Sequence, residues 1–79
     1  MDRDSNLPTV EDVLHAQARI RPYINRTPIF TCASLNQMFN AQLFFKCENF
    51  QKAGSYKIRG AMNAVLALSP AEAKRGVIT

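Results

Sequence analysis

Apolar positions at Val10, Val13, Leu14 and Ile20, with Gln17 between, recur at intervals of three and four residues. That is the spacing of one helical face, and it predicts an amphipathic helix over 10–21. Thr9 stands where an N-cap belongs, Glu11 and Asp12 fall in the first turn where the helix dipole favours negative charge, and Pro22 stops the run. Pro28 pushes Thr27 towards extended geometry, so Ile29-Phe30 read as a short edge strand. A brief helix follows, starting at Thr31 or Cys32, with Asn40 able to end it in the left-handed conformation. Gln42-Leu43-Phe44-Phe45-Lys46 has a continuous apolar centre, the pattern of a strand buried on both faces of a sheet.

Cys47 to Ala53 make a polar turn, Gly54 lets the backbone bend sharply, and Ser55 suits an N-cap. Tyr56, Ile58, Ala61, Met62, Val65 and Leu66 then supply the apolar faces of a helix reaching about Leu68. Gly60 inside it costs about 1 kcal/mol relative to alanine, which points to a packing constraint. Ser69-Pro70-Ala71-Glu72 combines an N-cap serine, proline at the first helical position and glutamate at the third, a capping box for a last short helix that Gly76 closes. Val77-Ile78-Thr79 begin another β-branched run. Strand, helix, short helix and new strand are the rhythm of an α/β domain with a largely parallel sheet.

Length changes the picture. At 79 residues the chain is one small unit, which would bury only about 60% of its unfolded surface. Residues 1–8 read as a flexible lead and 9–79 as the structured part. Apolar runs are only a few residues long, so no membrane span is expected, and Met1-Asp2-Arg3-Asp4-Ser5-Asn6 lack the apolar core of a secretory signal, leaving the cytoplasm as the expected location. Cys32 and Cys47, with fourteen residues between them, fit neither a metal spacing nor a redox pair, and His15 lies in a separate helix. No metal site is expected, and both thiols read as reduced and half-buried. The net charge is +4, yet the ten basic residues are spread from Arg3 to Arg75 without a cluster, which argues against nucleic acid. Local enrichment at Lys46, Lys52, Lys57 and Arg59, with Glu48 among them, suits a small phosphorylated ligand better.

The chemistry concentrates in Lys46-Cys47-Glu48-Asn49-Phe50-Gln51-Lys52-Ala53-Gly54-Ser55-Tyr56-Lys57-Ile58-Arg59-Gly60-Ala61. Lys57 falls just inside a helix, near the positive end of its dipole, which disfavours the ammonium form; an amine so placed can condense with a carbonyl. Spacing alone does not separate this role from that of an ordinary solvated lysine. The segment from Phe44 to Lys52, followed by Gly54-Ser55-Tyr56-Lys57-Ile58-Arg59-Gly60-Ala61, closely resembles the cofactor-lysine segment of the threonine dehydratase and serine racemase family, the fold-type II pyridoxal-phosphate enzymes. Thr27-Pro28 ahead of a short helix extends the likeness.

The resemblance implies an amino-terminal fragment of a three-layer α/β enzyme with a largely parallel sheet. It implies that Lys57 carries pyridoxal 5'-phosphate covalently and moves the α-proton of L-serine or L-threonine. Loss of the β-hydroxyl would give a 2-oxo acid and ammonia; return of the proton on the opposite face would give racemisation. Tyr56 stands where the motif commonly has phenylalanine, either against the cofactor or, in the favoured reading, packed into the core. Lys52 matches a nucleotide-contacting lysine of the racemase branch, but Leu14 replaces an acidic residue and Ala53 a threonine, so a plain dehydratase is favoured over a nucleotide-activated racemase. The family's asparagine loop, glycine-rich phosphate cradle, opposite-face acid and cation site have no counterpart here. The 79 residues alone are therefore expected to be inactive, and the full-length enzyme to be a homo-oligomer. A non-catalytic truncated isoform and a small basic binding module are the alternatives.

Overall fold

A computed structural model describes residues 6–79, so Met1 to Ser5 of the expected flexible lead lie outside the described residues. The first helix, α1, spans Val10–Ile20. Thr9 caps it as expected, and Asp12 closes the box: Thr9 Oγ1 accepts from the Asp12 amide at 3.2 Å while Asp12 Oδ2 accepts from the Thr9 amide at 2.8 Å. After Ile20 the chain turns, with the amides of Tyr23 and Ile24 both donating to the Ile20 carbonyl.

Strand β1 is Ile29–Phe30, as the Thr27-Pro28 pair predicts. Helix α2, Ala33–Phe39, begins after Cys32, whose side chain makes no cap bond, and ends at Asn40 in the left-handed region (φ 48°, ψ 49°). Asn36 Oδ1 then accepts from the Leu43 amide at 2.9 Å and directs the chain into β2, Phe45–Lys46. The two strands pair antiparallel, Ile29 opposite Lys46 and Phe30 opposite Phe45. Helix α3 spans Lys57–Leu66 and α4 spans Pro70–Arg75, the latter headed by the expected capping box between Ser69 and Glu72.

The sheet of the described residues is a two-stranded antiparallel ladder; the largely parallel sheet expected of the whole domain is not among them. One expectation fails. The strand expected over 42–46 shortens to two residues, and Phe44 and Phe45 are 68% and 43% exposed rather than buried on both faces. Val77-Ile78-Thr79, read as the beginning of a strand, belong to no strand among the described residues. The cause is that helix and cap signals are local, whereas burial of a strand needs neighbours on its edges and faces, and β2 has only β1. Gly60 likewise packs against nothing: a Cβ built on it meets no atom within 4 Å.

Helix α1 lies on α3, where Arg19 Nη1 donates to Asn63 Oδ1 at 2.7 Å. Ile20 is the one buried hydrophobic residue among the described residues; the other buried side chains are polar, Thr27 and Gln51. The accessible surface of 7029 Å² exceeds the roughly 4,800 Å² of a compact monomer of this mass by about 2,200 Å². Among the described residues it is polar contacts, not a closed apolar core, that hold the functional segment.

Candidate functional site

The segment from β2 to the first turn of α3 is built by a sequence of hydrogen bonds. Lys46 Nζ donates to the Thr27 carbonyl at 2.6 Å, and the Cys47 amide to the Pro28 carbonyl at 3.0 Å, so β2 is tied to the residues leading into β1. Two single turns of 3₁₀ helix follow, Glu48–Phe50 and Lys52–Gly54. The second contains two successive residues with positive φ, Ala53 (64°) and Gly54 (73°). Glycine accepts that region freely, but a Cβ-bearing residue there costs about 1–2 kcal/mol, so Ala53 is a point of backbone strain. The chain then runs extended through Ser55 (φ −157°, ψ 171°). Ser55 Oγ accepts from the Lys57 amide at 3.3 Å, but the N-cap position expected for Ser55 falls to Tyr56, whose carbonyl accepts the first helical bond from the Arg59 amide at 3.0 Å.

Beneath this turn lie two polar staples. Gln51, 4% exposed, offers its carboxamide to Asn25 as a peptide group would: Nε2 donates to the Asn25 carbonyl at 2.7 Å, and Oε1 accepts from the Asn25 amide at 2.8 Å. The same Oε1 accepts from the Lys52 amide at 3.0 Å. Glu48 is held from two sides. Arg59 grips it with a fork, Nε to Oε1 at 2.5 Å and Nη2 to Oε2 at 3.0 Å, and the Thr27 hydroxyl donates to Oε2. These bonds to the ionised form, Arg59's foremost and Thr27's next, pull the Glu48 carboxyl from 4.5 down to about 2. Glu48 in turn pushes the Arg59 guanidinium further up. Phe30 and Phe50 meet edge to face above, ring centroids 6.5 Å apart.

Lys57 follows this frame as the first residue of α3. Its side chain is exposed, and its Nζ has no hydrogen-bond or ion-pair partner among the described residues, whereas Lys46 Nζ is committed to Thr27. Tyr56 is 66% exposed and enters no core among the described residues; it stands beside Lys57 at the head of α3. An open cleft of ≈ 680 Å³ lies between α1 and α3, lined by Gln17, Ile20, Lys46, Arg59 and Asn63 among others, and Lys57 is not part of its wall. Cys32 and Cys47 are both free and half-buried, and no three metal-ligating side chains come together among the described residues. The motif reading singles out Lys57 and Tyr56, quotes Thr27 and Gln51 only as part of the likeness, passes over Asn25, and counts Glu48 and Arg59 only as local charges. Two of these, Thr27 and Gln51, are the buried polar residues, and nothing in their spacing announces that they meet.

A family model described as "Pyridoxal-phosphate dependent enzyme" matches residues 20–79. The β-hydroxyaspartate dehydratase of Paracoccus denitrificans (strain Pd 1222) is 58% identical over 73 residues, which are 92% of this chain and 23% of that protein. Among solved structures, maize serine racemase superposes with a TM-score of 0.81 at 48% identity, covering 85% of this chain and 21% of that one. The T.th. threonine deaminase gives 0.74 at 41% identity, covering 80% of this chain and 21% of that one. The chain thus spans between a fifth and a quarter of the length of these relatives.

Proposed function

Because the chain belongs to the pyridoxal-phosphate dependent enzyme family, we propose that Lys57 is the residue that holds the cofactor, in an enzyme that deaminates a small β-hydroxy amino acid. The observation that carries this reading is the unpartnered amine of Lys57 at the head of α3, reached through the Ala53-Gly54 turn. An aldehyde cofactor needs a primary amine with open space before it and no competing acceptor, and the residues present meet that requirement at Lys57. Lys46 does not, since its amine is occupied by the Thr27 carbonyl.

Bound there, pyridoxal phosphate supplies an electron sink for the carbanion formed at the substrate Cα. The protein's own share would fall to Lys57 Nζ, which, once the substrate's amino group has displaced it from the cofactor, would be the free amine that takes the α-proton. Departure of the β-hydroxyl and hydrolytic release of the nitrogen then yield a 2-oxo acid and ammonia. Kinship with a dehydratase and a deaminase supports this outcome. Racemisation, in which the proton returns on the opposite face, is the second reading, favoured by the likeness to maize serine racemase. Within this proposal the fold is that of the fold-type II enzymes, a three-layer α/β architecture with a largely parallel sheet to which these elements contribute.

The test is Lys57→Ala in the full-length protein. Visible absorbance from bound cofactor and release of ammonia from L-serine, L-threonine and 3-hydroxyaspartate should vanish together, with the circular dichroism of the fold unchanged. Retention of both would refute the assignment. Chiral analysis of unconsumed substrate decides between the two outcomes, since a racemase accumulates the D-enantiomer.

A further inference from the structure

Resting on the reading of Lys57 above, we propose that the Glu48–Arg59 fork is a positioning clamp that fixes the rotation of the first turn of α3, and with it the direction in which Lys57 presents its amine. The eleven-residue step from Glu48 to Arg59 encloses both 3₁₀ turns, the strained Ala53-Gly54 pair and Lys57 itself, so the pair closes a loop at its base. Within α3, residues two apart lie about 200° apart around the axis. When Arg59 is drawn inward onto Glu48, Lys57 is therefore turned to the opposite, outer face. The exposures agree: Arg59 and Glu48 are 34% and 15% exposed at their side chains, whereas Lys57 is open.

The other contacts of Glu48 extend the clamp. Thr27 donates to the carboxylate oxygen that also receives Arg59 Nη2, and the Thr27 carbonyl takes Lys46 Nζ, so three segments converge on one carboxylate: the residues before β1, the start of the turn, and α3. A planar fork resists rotation about the helix axis in a way that a single charge on a flexible stem does not. Apolar packing does not duplicate this restraint, because no hydrophobic side chain of α3 is buried among the described residues. Without the fork, the first turn of α3 keeps only the Ser55 bond to the Lys57 amide and its own bond from the Arg59 amide to the Tyr56 carbonyl, while the Arg19–Asn63 bond acts further along the helix.

The experiment uses the full-length protein with pyridoxal 5'-phosphate as the probe. Cofactor affinity is read by visible absorbance titration, and the site of attachment by borohydride reduction and mass mapping of the pyridoxyl label across Lys46, Lys52 and Lys57. Glu48→Gln and Arg59→Gln should each weaken binding by about tenfold or more and shift label from Lys57 to the neighbouring Lys52, since displacement of a reacting group by about 1 Å can cost on the order of a hundredfold. Arg59→Lys, which keeps the charge but not the fork, should fall between these and wild type. The double neutral variant should be no worse than either single one, because the two residues act as a unit. Induced circular dichroism of the bound cofactor should weaken in step with the label shift, a change that loss of stability alone does not produce in the folded fraction. Should Glu48→Gln fail to fold, Arg59→Lys carries the comparison. Label held on Lys57 at wild-type affinity in all folded variants overturns the clamp and leaves the cofactor reading standing. Wild-type label on another lysine overturns both.

Discussion

Removing the Gln51 carboxamide tests whether this segment is held by polar staples. Its three hydrogen bonds, to the Asn25 amide, the Asn25 carbonyl and the Lys52 amide, are all between 2.7 and 3.0 Å. A net contribution of about 1 kcal/mol per bond sets an upper limit near 3 kcal/mol for Gln51→Ala. Asn25 and Lys52 are themselves exposed, so water can satisfy part of what is lost and the cost of opening the turn should fall below that limit. Amide hydrogen exchange reads it locally. One lost bond of about 1 kcal/mol corresponds to roughly fivefold faster exchange, and concerted opening of all three to on the order of a hundredfold. The Asn25 and Lys52 amides should fall within those bounds. The Val13 amide, bonded to the Thr9 carbonyl in α1, should change less than about twofold, as a site without shared partners. Gln51→Glu keeps the acceptor for both amides but sets a carboxylate against the Asn25 carbonyl, so it should retain more protection at Lys52 than alanine does. Exchange at Asn25 and Lys52 within about twofold of wild type in Gln51→Ala would refute the claim that this side chain joins the turn to the end of α1.

The Glu48 carboxyl should titrate near 2. A carboxylate depressed from 4.5 in the folded chain contributes stability that is fully present above the unfolded value and is lost as pH falls from about 4.5 through about 2. Carboxyl carbon chemical shifts should therefore place its midpoint near 2 in wild type, and a midpoint close to 4.5 would show that the fork to Arg59 is not formed in solution. Gly54→Ala meets no atom within 4 Å, so its cost is that of the positive φ alone, about 1–2 kcal/mol; exchange of the Gly54 and Lys57 amides, which donate to the Gln51 carbonyl and to Ser55 Oγ, should accelerate by roughly five- to thirtyfold, and an unchanged rate would mean that the turn relaxes to another conformation without loss.

What can be read from the amino-acid order is what neighbouring residues settle among themselves. The α1 cap at Thr9, the left-handed stop at Asn40 and the capping box from Ser69 to Glu72 each involve partners within about four residues, and each is found as read. Strand β1 is legible for the same reason, because Pro28 constrains its own neighbour. Expectations that depend on distant partners fare worse. Phe44 and Phe45 have an apolar pattern that fits a buried strand, but pattern records a preference and burial requires something to pack against. Tyr56 suits the core by its chemistry and stands exposed. The staples are least legible of all: Gln51 meets Asn25 across 26 positions, Thr27 meets Glu48 across 21, and neither pair forms a motif.

That division bears on how these residues orient Lys57. A well-packed core would fix α3 through side-chain interdigitation, yet Ile20 alone is buried among the hydrophobic residues described. The turn before Lys57 carries strain at Ala53, which by itself favours relaxation of the loop rather than order. Order within these residues must then come from directional bonds, and both staples supply them: a 4%-exposed carboxamide that closes a peptide-like pair, and a carboxylate fixed between a guanidinium fork and a hydroxyl. Directional bonds specify orientation better than apolar contact of equal strength, because they weaken steeply with angle. A strained turn held on such bonds restricts Lys57 to one side of α3 while leaving the amine itself without a partner, which is the combination a lysine needs if it is to be well placed and still free to react.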